Sequence, residues 1–150
     1  MAAPAAAIAM GVVMVVLALR NEDGLVVDDY YKRGLAINQV IAREARAAEL
    51  GLAASLAFSP GHDRVRVQLT GARPAPGRAT LRLVHPTRVG QDQTVSLAAA
   101  GAGVLEGALA PPSSGRWRLI LEDPSGEWRL AGVWHTSEAL VSLSAAEPGR

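Results

Sequence analysis

The chain has 150 residues, no cysteine, and 15 basic against 14 acidic side chains for a net charge of +1. That length allows one domain of ordinary size plus an anchor. The composition excludes disulfides, thiolate metal sites and a cysteine nucleophile, and with no block of Lys and Arg it argues against a nucleic-acid footprint.

Residues 1–19 carry no charged side chain, and residues 5–19 read AAAIAMGVVMVVLAL. A helix over this run approaches the ~20 residues needed to cross the hydrocarbon core, and Arg20, Glu22 and Asp23 end it. A signal peptide and a soluble helix are the alternatives. A signal peptide wants a basic leading region and a small-x-small cleavage site, and neither is present here. The expectation is therefore a transmembrane anchor over residues 1–19. Nothing ahead of Arg20 is positively charged, so the positive-inside rule does not orient it. Ala7 and Gly11 form a small-xxx-small pair that lets helices approach closely. Met10 and Met14 stand one turn apart; their thioethers are soft enough for Cu(I), although such a pair is more often packing bulk.

A juxtamembrane segment and amphipathic helix are expected over residues 20–51. Asp28 can serve as its N-cap, and Asp29 adds negative charge to a first turn that favours it. Tyr30, Gly34, Ile37, Ile41, Ala45, Ala48 and Leu52 recur at spacings of three and four. They trace one apolar stripe expected to lie on something. Lys32, Arg33, Arg43, Glu44, Arg46 and Glu49 fall mostly off it, which predicts a charged, solvated opposite side. Gly51 sits where a C′ glycine stops a helix. A surface helix with a core-facing stripe accounts for Tyr30, Ile37 and Ile41. It accounts less well for two tyrosines and Asn38 close together beside an anchor.

After Leu52 the apolar period changes from 3.6 to 2. Strands are expected at residues 53–59, 64–70, 78–85, 93–99, 104–109, 116–122 and 127–135, separated by Gly- and Pro-bearing turns. Seven short strands predict an immunoglobulin-like antiparallel β-sandwich over residues 52–137, followed by a tail at 138–150. The alternation assigns Val65, Val67 and Leu69, then Ala79, Leu81 and Leu83, to core faces. Trp117, Leu119 and Leu121 share the next, and Trp128, Leu130 and Trp134 the last. A hairpin at residues 122–126 would set the tryptophans across from one another.

Enzyme motifs are absent: no G-x-S-x-G, H-E-x-x-H, phosphate-binding loop or C-x-x-C occurs. The carboxylate pairs Glu22-Asp23, Asp28-Asp29 and Glu122-Asp123 fall beside the anchor, at a helix cap and in a turn, so no acid–base pair is expected. Catalysis is therefore not expected. Of the three histidines, His62 lies in a turn, His85 in the run LVHPTR, and His135 at the end of the last strand.

The run VDDYYKRGLAINQ, residues 27–39, resembles the signature of the FixH (CcoH) family, small membrane-anchored accessory proteins of cbb3-type cytochrome c oxidase. The order of parts agrees: an apolar anchor, this signature, then a Trp-containing β-domain. The run GRWRLILEDPSGEWRLAGVW is similar to the family's closing hairpin. The resemblance covers residues 11–136. It implies a single-pass protein of the bacterial inner membrane with a periplasmic C-terminal domain, acting in assembly, maturation or stability of the oxidase. The implied partners are cbb3-type oxidase subunits or the copper-transporting P-type ATPase that works with them. The partner-binding residues would be Asp28, Asp29, Tyr30, Tyr31, Gly34, Leu35, Ile37, Asn38 and Gln39. Relatives often show a His-Pro pair near His85, and the family serves a copper oxidase. An alternative reading is therefore a periplasmic copper-binding and delivery module using His85 and His135, which requires that the two imidazoles converge. The ordinary reading of His85 is a strand-end residue whose backbone is restricted by Pro86.

Overall fold

The computed structural model describes residues 8, 10–16, 24–71 and 76–145 and, within the long helix, side chains from Asp29 onward. A helix α1 (Gly24–Glu49) precedes eight strands: β1 (Ala53–Phe58), β2 (Arg64–Thr70), β3 (Arg78–Val84), β4 (Gln93–Gly101), β5 (Val104–Ala108), β6 (Arg116–Glu122), β7 (Arg129–His135) and β8 (Leu140–Ser144). Residues 10–16 are also helical. Among the described residues no helix is long and apolar enough to cross a membrane. The expected anchor over residues 1–19 lies largely outside them.

The strands close into one antiparallel barrel in the order β1-β2-β5-β4-β3-β6-β7-β8. This corrects the expectation of a seven-stranded sandwich. Alternation tells which residues face a core, and seven alternating strands satisfy two stacked sheets or one ring equally well. The deciding element is β8, in residues read as tail. It pairs with β1 from Ala53↔Ser144 to Ala57↔Leu140 and with β7 at Ala131↔Ser144. Closure removes the edge strands that a sandwich would leave open. The meander β3-β4-β5 sits between β2 and β6, so the chain passes from β2 to β3 and from β5 to β6 without pairing them.

The core is the set the alternation assigned. Val65, Val67, Leu69, Ala79, Leu81, Leu83, Leu119, Leu121, Leu130 and all three tryptophans are buried. Trp117 and Trp134 are cross-strand partners in the β6–β7 hairpin. At ~25 cal/mol per Å² and ~200 Å² each, two buried indoles contribute about 5 kcal/mol apiece. Their N–H groups are satisfied at one end of the barrel: Trp117 donates to the Ser113 carbonyl at 2.9 Å and Trp134 to the Glu138 carbonyl at 2.8 Å. Phe58 stacks on Trp134 with ring centroids 3.8 Å apart.

The opposite end of the barrel receives the last turns of α1. The Leu52 N–H donates to the Ala47 carbonyl at 2.9 Å and the Gly51 N–H to the Ala48 carbonyl at 3.0 Å, with Gly51 at φ +60°. That double closure is the Schellman stop that the glycine predicted, and both Ala47 and Leu52 join the core. Gly71, at φ +93°, lies directly under it. A Cβ there would collide with the Gly51 carbonyl.

Candidate functional site

The start of α1 departs from expectation. The helix begins at Gly24, and its first turn carries no acidic residue. Asp28 and Asp29 are therefore helical residues beyond that turn rather than a cap and its neighbour. The Asp28 side chain lies outside the described residues.

The face that packs also departs from expectation. In the part of α1 that meets the barrel, Ala47 is buried and Val40, Arg43, Glu44 and Leu50 are half-buried. Ile41 is 57% exposed, and Ala45 and Ala48 are exposed as well. The stripe read as core-facing is thus the solvent side, and the supposedly solvated Arg43 and Glu44 face inward. Arg129 is the cause. Its side chain is only 11% exposed, and its Nε lies 3.7 Å from Glu44 and 3.8 Å from Glu122, without a hydrogen bond. A guanidinium held that far from water needs carboxylates beside it, and α1 supplies one by turning Glu44 down. The Arg43 guanidinium rests against Gly126, where a Cβ would already be in contact with it.

The turned-out stripe continues through the signature. Tyr30 and Tyr31 are each 69% exposed, Ile37 59% and Leu35 44%. Asp29, Gly34, Asn38 and Gln39 are exposed too. At about 100° per residue, Tyr30, Gly34, Ile37 and Ile41 form one row, with Tyr31, Leu35 and Asn38 beside it. Nothing lies within 4 Å of a Cβ built on Gly34, so the row has a notch between Tyr30 and Ile37. The structure brings these signature residues together on a broad apolar face, with Asp29, Lys32 and Arg33 on other sides of the helix.

Each histidine has its own neighbours. The His85 Nδ1 accepts the backbone N–H groups of Thr87 at 3.2 Å and Arg88 at 3.1 Å, while the His85 N–H donates to Asp92 Oδ1 at 3.0 Å. Its ring meets Trp117 edge-on, 4.9 Å between centroids. His135 is exposed and pairs across strands with Arg116, on the outer face. Trp117 points inward, so His85, which meets it, and His135 lie toward opposite faces of the sheet. His62 packs separately against Phe58 and Trp134. Among the described residues no three His, Asp or Glu side chains are placed to hold a metal ion.

The FixH family model matches residues 1–135. The chain belongs to the FixH family. Comparison with curated proteins and with solved structures found no match. FixH membership points to a role related to oxidase accessory function. In this FixH chain the residue that sequence reasoning missed is Arg129, which orients the helix. Its only trace was an Arg-Glu pair at residues 43–44, with Arg43 opposite the apolar stripe and Glu44 at its edge.

Proposed function

We propose that this FixH protein is a single-pass accessory protein of the bacterial inner membrane, with its C-terminal domain in the periplasm. It serves assembly, maturation or stability of cbb3-type cytochrome c oxidase by protein–protein contact and not by catalysis. The observation that carries this reading is the exposed face of α1 over the signature, where Tyr30, Tyr31, Leu35 and Ile37 are all exposed. Helix-in-groove recognition uses anchors at this spacing, and tyrosine adds large contact area at low entropic cost. Oxidase subunits, or the copper-transporting P-type ATPase that works with them, are the partners this face would meet.

The test is copurification from detergent-solubilised membranes, comparing the wild type with Tyr30→Ala/Tyr31→Ala/Asn38→Ala at matched membrane abundance. Oxidase subunits or the ATPase should copurify with the wild type and be lost from the variant. Equal recovery with both would remove the signature from the interface.

A further inference from the structure

Three arginines remote in sequence meet on the outer wall of the barrel. Arg116 and Arg118 point outward from β6. Arg82 points outward from β3 beside them, because Val84 pairs with Arg118 and Arg82 with Ile120. All three are exposed, and among the described residues none has an ion-pair partner. Glu122, the carboxylate further along that face of β6, stands beside Arg129. β7 contributes only Ala131, Val133 and His135 opposite Ile120, Arg118 and Arg116. A cleft of about 530 Å³ runs between Pro86, the two β6 arginines and residues 131–133.

The chemistry of this cleft is specific. Arg116 and Arg118 are two residues apart on one strand, so their stems leave the wall at an interval of ~7 Å. Like charges at that spacing repel, and among the described residues neither guanidinium is in an ion pair; the Glu138 carboxylate lies 3.5 Å from the His135 N–H at the same end of β7. An extended chain has the same rise, and its alternate side chains fall at the same interval. Each guanidinium offers a planar fork that takes one carboxylate through two hydrogen bonds. Beside Arg118 the cleft is lined by Ala131, Gly132 and the exposed Val133, which carry no charge, so a main chain lying along β6 meets apolar wall there.

We infer that this wall of the barrel binds an extended acidic segment of a partner protein. Carboxylates at alternate positions of the segment pair with Arg116 and Arg118, and Arg82 stands at the rim. The surface is built from other residues than the exposed face of α1, so its failure would leave the helix reading untouched.

The experiment is fluorescence anisotropy with the full chain in neutral detergent micelles. The probes are a labelled peptide of alternating Glu and Val and a second of the same composition with its glutamates in one block. The alternating peptide should bind more tightly, and Arg116→Gln/Arg118→Gln should weaken it by about tenfold or more, with an unchanged circular dichroism spectrum. Arg116→Lys/Arg118→Lys should restore only part of the loss, because an ammonium lacks the fork. Equal binding of the two peptides, binding indifferent to the arginines, or no binding would overturn the proposal. So would displacement of the peptide by short-chain phosphatidylglycerol, which would make the wall a lipid site.

Discussion

The two halves of α1 share one periodicity and meet different fates. In residues 39–49 one face is pressed on the barrel, with Ala47 in the core and Glu44 turned toward Arg129. In residues 29–38 every side chain is exposed, including four large apolar ones. The apolar stripe runs on the solvent side through both. Amphipathic spacing therefore gives the direction of a stripe around a helix but not its destination. On this helix a largely buried arginine pairs with the side that goes down, and the more apolar side is left exposed.

The largest effect should come from the barrel that supplies the docking surface. Trp134→Ala removes the indole that Phe58 stacks upon and that holds the Glu138 carbonyl, and should cost about 3–5 kcal/mol in denaturant unfolding. Gly71→Ala should follow at about 2 kcal/mol or more. It forces a left-handed backbone on alanine and drives its Cβ into the Gly51 carbonyl. Its signature is loss of amide protection at residues 47–52 ahead of the strands.

Glu44→Ala and Arg129→Met probe the orientation itself. Removing Glu44 leaves a largely buried guanidinium one carboxylate short, and removing Arg129 leaves Glu44 and Glu122 facing each other; each should cost about 1–3 kcal/mol. If neither changes the unfolding midpoint, Arg129 does not set the face. Ile41→Ser is the opposite case. A core-facing isoleucine would cost several kcal/mol, whereas this exposed one should change stability by no more than about 0.5 kcal/mol while reducing partner copurification.

The smallest effect is one of pH, at the end of the barrel away from the helix. The Ser59 hydroxyl donates to Asp63 at 2.6 Å and, together with the backbone, holds the Asp63 carboxyl below its ordinary value of 3.8. A carboxyl with a lowered folded-state pKa adds stability above its unfolded value and loses it as the pH falls through the folded one. Acidification below the usual aspartate range should therefore lower the amide protection factors at Asp63 and Arg64, whose N–H groups donate to Ser59 Oγ. Asp63→Asn should abolish that pH dependence and leave α1 unchanged.

Most of the barrel was legible because period-2 alternation states directly which side chains face inward. Arg64–Thr70 and Arg116–Glu122 begin and end where the pattern does, and the Schellman stop at Gly51 follows from one glycine. What was not legible depends on partners distant in sequence. The ring differs from a sandwich by β8, whose single fully buried side chain is Leu143, too little to distinguish a strand from a tail. The helix face depends on Arg129, some eighty residues away. Of the candidate site, the signature residues were found from the motif, but their exposure was not, since a half-apolar helix suits a core and an interface equally well. The arginines of the wall were hidden for the same reason: Arg82 and the Arg116–Arg118 pair form no block until β3 and β6 lie side by side.

Closure of the ring through β8 has a temporal consequence. β1 is the first strand to be synthesised and β8 the last, and their pairing, Ala53↔Ser144, joins the two extremes of the barrel sequence. Until β8 is available, the partial sheet keeps two unpaired edges, one on β1 and one on β7, each able to recruit a strand from elsewhere. A ribosome that stalls just before residue 140 would therefore release a nearly complete but adhesive chain. Five residues, LVSLS, turn that intermediate into a sealed one.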